Sequence, residues 1–258
     1  MHKNKWALIL GGSSGLGLAT ARKLGMHGFN LIIIHRDRRA DMEQIEAAFN
    51  EIRQSGVVIN SFNKDAINPE VRKQLINLII DTLPTNAKIS VMVHSIAKGS
   101  LKPLNAATPL SNQDLQTTMQ AMAFSMYDWT LTLHENKLFD NDTRIISFTS
   151  EGNQRAWKNY GAVSAAKVTL EALTRQVALE FARNGIKANC IQAGVTETKS
   201  FKMIPGNEKI KEHYLKNNPS GRLTTPEDVA NAVYLLTTPE AKWINGTILK
   251  VDGGESLL

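Results

Sequence analysis

The chain has 258 residues, 42% of them hydrophobic, and its 30 lysine and arginine residues against 24 aspartate and glutamate residues give a formal net charge of +6. This composition suffices for one well-packed core, and the lack of linkers, repeats and low-complexity tracts predicts a single domain over residues 1–258. The basic residues are scattered, with neither zinc-finger spacing nor an aromatic-rich stacking segment, which argues against nucleic-acid binding.

No apolar stretch approaches the roughly 20 residues needed to span a bilayer. The lone Cys190 has no second cysteine with which to form an internal disulfide. At the N-terminus, a short apolar run passes directly into a glycine-rich turn, which is typical of a first strand and not of a secretory leader. These observations predict a cytoplasmic protein with no membrane segment.

Short apolar runs alternate with segments of helical period. The runs are nearly continuous, as in strands buried on both faces, and cover residues 6–10, 31–34, 57–62, 89–93, 144–148, 186–192 and 247–251. The helical segments cover residues 16–27, 41–55, 69–83, 112–135, 160–184 and 226–236. This alternation implies parallel pairing with right-handed crossovers. The predicted fold class is α/β, a single-domain doubly wound parallel sheet of Rossmann type with helices on both faces, which binds ligands beyond the carboxyl ends of its strands.

The first predicted strand ends in a glycine-rich turn at residues 10–17. Backbone N–H groups of such a turn, and the N-terminus of the helix that follows, can meet a pyrophosphate where no Cβ intervenes. The alternative is a tight turn that needs only positive φ. In this context of strand and helix the sequence predicts a cofactor cradle formed by Gly11, Ser13, Ser14, Gly15, Leu16 and Gly17.

The second predicted strand is followed by basic residues, at the point where NAD-binding sheets carry an acidic residue for the ribose 2′-hydroxyl. The guanidinium groups of Arg36, Arg38 and Arg39 suit a 2′-phosphate, which predicts NADPH as the cofactor. Asp37 can itself accept a hydrogen bond from a ribose, so NADH stays an alternative.

The next two strands end in further candidate cofactor contacts. Asp65 and Ala66 follow the third strand, and Asp65 is expected either to accept from the adenine amino group or to cap a turn. After the fourth strand, Ser95, Ile96 and Ala97 are expected beside the cofactor's ribose, while His94 is assigned no catalytic role.

Tyr160 and Lys167 are seven residues apart in a segment of helical period. Seven residues of an α-helix turn through about 700°, so the two side chains lie within roughly 20° of each other and about 10.5 Å apart along the axis. Both are expected to face one cleft. The alternative is a half-buried aromatic residue and a solvated surface lysine.

Together these motifs resemble the short-chain dehydrogenase/reductase family over essentially the whole chain. The tail GRLTTPEDVANAVYLLTTPEAKWINGTILKVDGG is similar to the family's carboxyl end, and residues 189–198, NCIQAGVTET, are similar to its nicotinamide-side loop. The resemblance implies cofactor contacts from Gly194, Val195, Thr196 and Thr198, and from Lys167. Classical members place the lysine four residues after the tyrosine, where this chain has Ser164.

The seven-residue spacing resembles the divergent branch of enoyl-acyl-carrier-protein reductases. The stretches HSIA, Ala193-Gly194 and RAWKNY agree with that branch, and the tail DGGESLL is similar to its NADPH-using form. The resemblance implies a homotetramer that works in fatty acid biosynthesis and uses no metal. Its long helices are then expected to pack between subunits, although their apolar faces can equally serve the internal core.

The same resemblance assigns catalytic roles to Tyr160, Lys167 and Ser150. Hydride transfer to a trans-2-enoyl thioester builds negative charge on the thioester oxygen, to which Tyr160 is expected to donate. Lys167 is expected to bind the nicotinamide ribose and to lower the pKa of the phenol through its charge. The catalytic asparagine of classical members has no counterpart, and the nearest polar candidates are Gln120 and Thr118.

Residues 198–223 are predicted to form a substrate lid whose apolar face covers an acyl chain. Its basic face is expected to meet an acidic acyl-carrier protein, with a coenzyme-A thioester as the other possible substrate, although an ordinary solvated loop is the alternative. Two other functions stay open: a carbonyl or 3-ketoacyl reductase of the same family, and a cofactor-sensing protein without chemistry. The lid lysines are Lys199, Lys202, Lys209, Lys211 and Lys216, interleaved with Phe201, Met203, Ile204 and Tyr214.

Overall fold

One parallel sheet of seven strands organises the computed structural model, which describes residues 5–257. Residues 1–4 and residue 258 lie outside the described residues. Residues 1–4 belong to the N-terminal segment that was predicted to be a first strand and not a secretory leader. The strand order is β3-β2-β1-β4-β5-β6-β7, and every pairing is parallel. The strands are Lys5–Leu10 (β1), Asn30–His35 (β2), Ile59–Asn63 (β3), Lys88–His94 (β4), Phe139–Ser150 (β5), Ile186–Ala193 (β6) and Ile248–Val251 (β7).

Helices cover both faces of the sheet, which confirms the predicted fold class. They are Gly15–Met26 (α1), Met42–Arg53 (α2), Pro69–Thr82 (α3), Asn112–Met119 (α4), Ser125–Glu135 (α5), Gly161–Glu180 (α6), Lys199–Lys202 (α7), Asn207–Asn217 (α8) and Pro226–Thr237 (α9). Because successive side chains of a strand point to opposite faces, Leu8 packs in the cluster with α3, α5 and α6, whereas Ile9 packs in the cluster with α1, α2 and α9.

The strand order reverses between β1 and β4, and this reversal places the glycine-rich turn in a crevice. Beyond the strand ends, the Gly11 N–H donates to Ile34 O, and the Ser95 N–H donates to Leu10 O, each at 2.8 Å. The carboxyl ends of β1, β2 and β4 are thereby held together. Sheets of this kind bind ligands at such a switch point.

Two of the helix predictions need correction. The segment 112–135 is interrupted by a π-helical turn at Gln120–Phe124, where the Ser125 hydroxyl donates to Ala121 O at 2.8 Å. The helix predicted over 160–184 begins only at Gly161, because Asn159 has a left-handed φ of 64° and Tyr160 has φ −104° and ψ 4°. Tyr160 is therefore the N-cap residue of α6, and its carbonyl accepts from the Ser164 N–H at 2.8 Å.

Among residues 5–257, the structure contains no helix with the length and apolar character needed to cross a bilayer.

Candidate functional site

A cavity of about 690 Å³ opens at the carboxyl ends of β1 to β4. Most of the predicted cofactor contacts line it. These are Gly11, Ser13, Ser14, Gly15, Leu16, Arg36, Arg38, Asp65, Ala66, Ser95, Ile96, Ala97, Lys167 and Thr198. Five predicted contacts are not part of its wall: Gly17, Arg39, Gly194, Val195 and Thr196.

Gly11 and Gly17 must each lack a Cβ for a different structural reason. Gly11 has a φ of 86°, and a Cβ on it would lie 2.6 Å from Ser95 O. A Cβ on Gly17 would lie 2.1 Å from Gly11 O, so Gly17 is needed for the turn to pack on α1, and its contact with a cofactor stays a prediction. The glycine surface and the N-terminus of α1, which has no acidic residue in its first turn, fit a dinucleotide phosphate.

The end of the cavity beside β2 and β3 contains a network of charged side chains. Arg36 Nη1 lies 2.8 Å from Asp65 Oδ2, and His35 Nδ1 lies 2.9 Å from Asp37 Oδ2. Arg38 is exposed where it borders the cavity. Arg39 is also exposed, but it belongs to a 3-10 turn over Arg39–Asp41, which carries it away from the wall.

Asp65 has the turn-capping role that the sequence analysis gave as an alternative. Its Oδ1 accepts from the Ile67 N–H at 3.0 Å, while Oδ2 is the partner of Arg36. The predicted contact with an adenine amino group stays a prediction.

A second cavity, of about 420 Å³, adjoins the first and shares seven lining residues with it: Leu16, Ala97, Lys98, Thr149, Thr198, Ser200 and Met203. Tyr160 and Ser150 line this second cavity together with the predicted nicotinamide-side residues Gly194, Val195, Thr196 and Thr198. Much of the remaining wall is apolar and consists of Leu101, Met122, Trp157, Val163, Phe201, Met203 and Ile204. An acyl chain is a ligand of suitable character for such a wall.

Tyr160 lies at hydrogen-bonding distance from Ser150, with its hydroxyl 3.3 Å from Ser150 Oγ. Burial raises the pKa of Tyr160, and the hydrogen bond with Ser150 opposes that shift. This direction is opposite to the lowering predicted from the Lys167 charge, because loss of solvation dominates. The phenol is therefore a protonated donor at neutral pH.

Lys167 is buried, and its Nζ donates to Phe148 O at 2.6 Å. Burial lowers the pKa of Lys167 to about 8, while Cys190 and Glu171 act in the opposite direction. Lys167 lines the first cavity and Tyr160 the second, so the two residues face adjoining spaces that share part of their walls.

The two polar candidates for the missing asparagine are engaged elsewhere. Gln120 Nε2 donates to Asp128 Oδ2 at 3.0 Å, and the Thr118 hydroxyl accepts from the Ser100 N–H at 3.0 Å. His94, which was assigned no role, lines the first cavity, and its Nε2 lies 2.8 Å from Ser125 Oγ. Burial, followed by the Lys167 charge, lowers the pKa of His94 to about 3, so its imidazole is neutral at ordinary pH.

Two carboxyl groups of the second cavity were missed by the sequence analysis. Glu151 directly follows Ser150, and Glu255 accepts from the Val195 N–H at 3.0 Å through each of its oxygens. Both side chains are buried. An acidic residue at a strand end or near a chain terminus is ordinarily solvated, so the sequence contains no signal for their burial.

The predicted lid forms α7 and α8. Phe201 and Tyr214 pack with Val195, and Met203 and Ile204 join the cavity wall. Lys211 Nζ lies 2.7 Å from Glu197 Oε1. The exposed lysines of this segment are Lys199, Lys202, Lys209 and Lys216.

Known proteins are similar to this chain along its length. A family model described as "Enoyl-(Acyl carrier protein) reductase" matches residues 11–256. A (2S)-[(R)-hydroxy(phenyl)methyl]succinyl-CoA dehydrogenase subunit from Thauera aromatica is 27% identical over 263 aligned residues, which cover 99% of this chain and 98% of the relative.

Solved structures are similar in fold. An enoyl-[acyl-carrier-protein] reductase (NADH) from Aquifex aeolicus has a TM-score of 0.82 at 24% identity, covering 99% of this chain and 98% of its own. A variant of the actinorhodin polyketide ketoreductase, solved with NADPH, has a TM-score of 0.83 at 22% identity, covering 100% and 99%. At these identities the likeness to solved structures shows the fold alone.

Proposed function

Because the chain belongs to the short-chain dehydrogenase/reductase family and is an oxidoreductase, we propose that it reduces the 2,3 double bond of trans-2-enoyl-acyl-carrier-protein thioesters with NADPH, in fatty acid biosynthesis. One observation carries this proposal: the buried Tyr160 hydroxyl, paired with Ser150, lines a cavity whose remaining wall is largely apolar. An uncharged acyl chain suits that wall, and the phenol supplies a polar donor for the thioester oxygen.

The cofactor is expected to bind in the first cavity and to supply the hydride. The glycine-rich turn and the N-terminus of α1 would hold its phosphates, and Lys167 would bind the nicotinamide ribose. Gly194, Val195 and Thr196 would lie on the nicotinamide side, where Glu255 holds the Val195 backbone.

Tyr160 would stabilise the charge that develops on the thioester oxygen. Burial of the phenol raises its pKa, so the proton is available for donation throughout the neutral range. Ser150 Oγ can accept from or donate to the Tyr160 oxygen at 3.3 Å, which orients the phenol in the cavity. Lys167 would act on the neighbouring cofactor site, since it lines the adjoining cavity.

The preference for NADPH over NADH is supported by the two arginines at the end of the cavity beside Asp37. The Asp37 carboxylate lies 2.9 Å from His35 Nδ1, and its backbone N–H donates to Asn63 Oδ1 at 3.0 Å. A carboxylate with one such partner can still accept from a ribose hydroxyl, so NADH stays the alternative. Arg36 and Arg38 border the same end of the cavity and suit a 2′-phosphate.

The acyl group would be presented by an acyl-carrier protein or by coenzyme A. The exposed lysines of α7 and α8 would attract the acidic carrier. Assembly into a homotetramer is part of the same proposal. The exposed apolar side chains Leu179 on α6, Leu235 on α9 and Trp243 support it, since each would gain from burial against a second copy.

A 3-ketoacyl or carbonyl reductase is the second candidate. The Ser150–Tyr160 pair suits this reaction as well, because a phenol assisted by a serine can protonate an alkoxide. The seven-residue spacing of Tyr160 and Lys167 favours the enoyl substrate.

The decisive experiment compares NADPH oxidation with a crotonyl thioester and with an acetoacetyl thioester. Turnover with the crotonyl substrate is expected. A preference for the acetoacetyl substrate would instead identify a ketone reductase. Tight NADPH binding without turnover of either substrate would point to a cofactor-sensing protein.

A further inference from the structure

A buried carboxylate interrupts the apolar wall of the second cavity. Glu151 is only 6% exposed, and both of its oxygens have partners. Arg155 Nε lies 3.0 Å from Oε1, and the Tyr214 hydroxyl donates to Oε2 at 2.7 Å. A buried carboxylate without such partners would bring water into the cavity or oppose an apolar ligand.

Tyr214 connects this carboxylate to the lid. It is the buried residue of α8, and it packs with Val195 and Phe201. Its ring lies 6.4 Å from the ring of Trp157, another residue of the cavity wall. Burial, followed by the hydrogen bond to Glu151, raises the pKa of Tyr214, so the phenol stays a donor at any ordinary pH.

We propose that Tyr214 is a positioning residue that makes the second cavity selective for apolar acyl chains, by satisfying Glu151 and by holding α8 over the site through the same hydrogen bond. This inference rests on the proposed function and specifies its substrate class as thioesters of uncharged, apolar acyl groups. Tyr214 acts through Glu151.

The Tyr214→Phe substitution separates the hydrogen bond to Glu151 from the packing of the Tyr214 ring. In Tyr214→Phe the ring and its apolar contacts are retained, while Glu151 Oε2 loses its donor. The expected result is about a tenfold weaker binding of an acyl thioester, because one unpaired buried acceptor costs that much in affinity. Replacing both partners of this hydrogen bond by apolar groups of similar shape is expected to be nearly neutral. Arg155 also loses the Glu151 carboxylate, but its side chain is 41% exposed and can be hydrated, so adding Glu151→Met to Tyr214→Phe should restore binding to within about threefold.

The measurement is calorimetric titration of dodecanoyl-coenzyme A into the protein saturated with NADP⁺. The wild type, Tyr214→Phe, Glu151→Met and the double variant form a complete cycle. Tyr127→Phe, on the partly exposed face of α5, is the matched control and should bind as the wild type does. In steady-state assays, Tyr214→Phe should raise KM for the enoyl thioester and leave kcat within about twofold.

Two results would overturn the inference: wild-type affinity in Tyr214→Phe, or a double variant that binds no better than Tyr214→Phe alone. If Tyr214→Phe proves unstable, Glu151→Gln supplies a second test, because it keeps the shape of the side chain and an acceptor for the Tyr214 hydroxyl and removes the charge. It should bind dodecanoyl-coenzyme A at least as well as the wild type, and weaker binding would contradict the proposal. Binding of a saturated thioester needs no turnover, so either failure leaves the proposed reaction intact. A wild-type protein that binds NADP⁺ but no acyl thioester would contradict the proposed function itself.

Discussion

Ser150 Oγ lies 3.3 Å from the Tyr160 hydroxyl, although the two residues are ten positions apart in the chain. Ser150 ends β5, and a 3-10 turn over Glu151–Asn153 begins the return toward α6. Gly152 makes the approach possible, since a Cβ there would lie 2.4 Å from Tyr160 Cε1. The pair therefore depends on the backbone between β5 and α6 as well as on the two side chains.

Tyr160→Phe is expected to lower kcat by two to three orders of magnitude, roughly, because loss of one donor at an oxyanion site costs about 3–4 kcal/mol in the transition state. NADPH affinity should stay nearly the same, because Tyr160 lines the second cavity and not the first. Steady-state rates with the crotonyl thioester and fluorescence titration of NADPH measure the two quantities. Tyr127→Phe is the control. A full rate in the Tyr160 variant would contradict the assignment.

Gly152→Ala is expected to reduce kcat by displacing the Tyr160 ring from Ser150, by about tenfold or more if the displacement reaches 1 Å. Gly161→Ala is a matched control at the start of α6, where the new Cβ would lie 3.4 Å from the flexible end of Leu104. Rates and melting temperatures of both variants test this. Equal rates in the two variants would show that the ring position is unimportant.

The rate is expected to fall on the alkaline side as Lys167 loses its proton. Burial lowers the pKa of Lys167 to about 8, so the ammonium is present below that pH and lost above it. The profile of kcat/KM for NADPH, which reports groups of the free enzyme, should therefore decline above about pH 8. Arginine stays charged, so the Lys167→Arg profile should lack this decline whatever its absolute rate. A wild-type profile of kcat/KM for NADPH that stays flat to high pH would exclude a role for the Lys167 ammonium in cofactor binding.

Arg38→Ala is expected to weaken NADPH binding by about tenfold, since a charge-assisted hydrogen bond to the 2′-phosphate is lost, while NADH binding stays unchanged. Arg39→Ala is the paired control, because Arg39 lies outside the cavity wall. Dissociation constants for both cofactors with both variants are the measurement. Equal weakening of NADPH and NADH by the Arg38 change would argue against recognition of a 2′-phosphate.

Glu255 is expected to make the stability of the fold depend on pH near neutrality. Burial raises the pKa of Glu255 from its ordinary value of 4.5 to about 7, so the folded chain holds a proton that the unfolded chain releases. The resulting stabilisation is complete below the unfolded pKa and is lost as the pH rises through about 7. The decrease in melting temperature between acidic and alkaline buffer should therefore be smaller in Glu255→Gln than in the wild type.

The control for this change is Glu208→Gln on the exposed surface of α8. It should keep the pH dependence of the wild type. An identical decrease in melting temperature in the wild type, Glu255→Gln and Glu208→Gln would contradict burial as the origin of the raised pKa of Glu255.

Much of the architecture could be predicted from the sequence. The apolar runs marked all seven strands, although β5 extends from Phe139 to Ser150 and is longer than the run at 144–148. The extra residues carry polar side chains such as Asp140 and Asn141, which periodicity does not assign to a strand. The glycine-rich turn was located correctly, because a turn of positive φ between a strand and a helix depends on a few adjacent residues.

The chemistry of the second cavity was decided only by the tertiary structure. Tyr214 and Glu151 are 63 residues apart, and Glu255 reaches Val195 across 60 residues. The sequence by itself determined the strands and the glycine-rich turn, since these follow from neighbouring residues, and the family resemblance made Tyr160 and Lys167 the candidate catalytic residues. Which carboxyl groups are buried, and which space Tyr160 faces, follows from how distant elements pack. Burial and the pairing of polar groups are properties of that packing, and local periodicity contains no information about them.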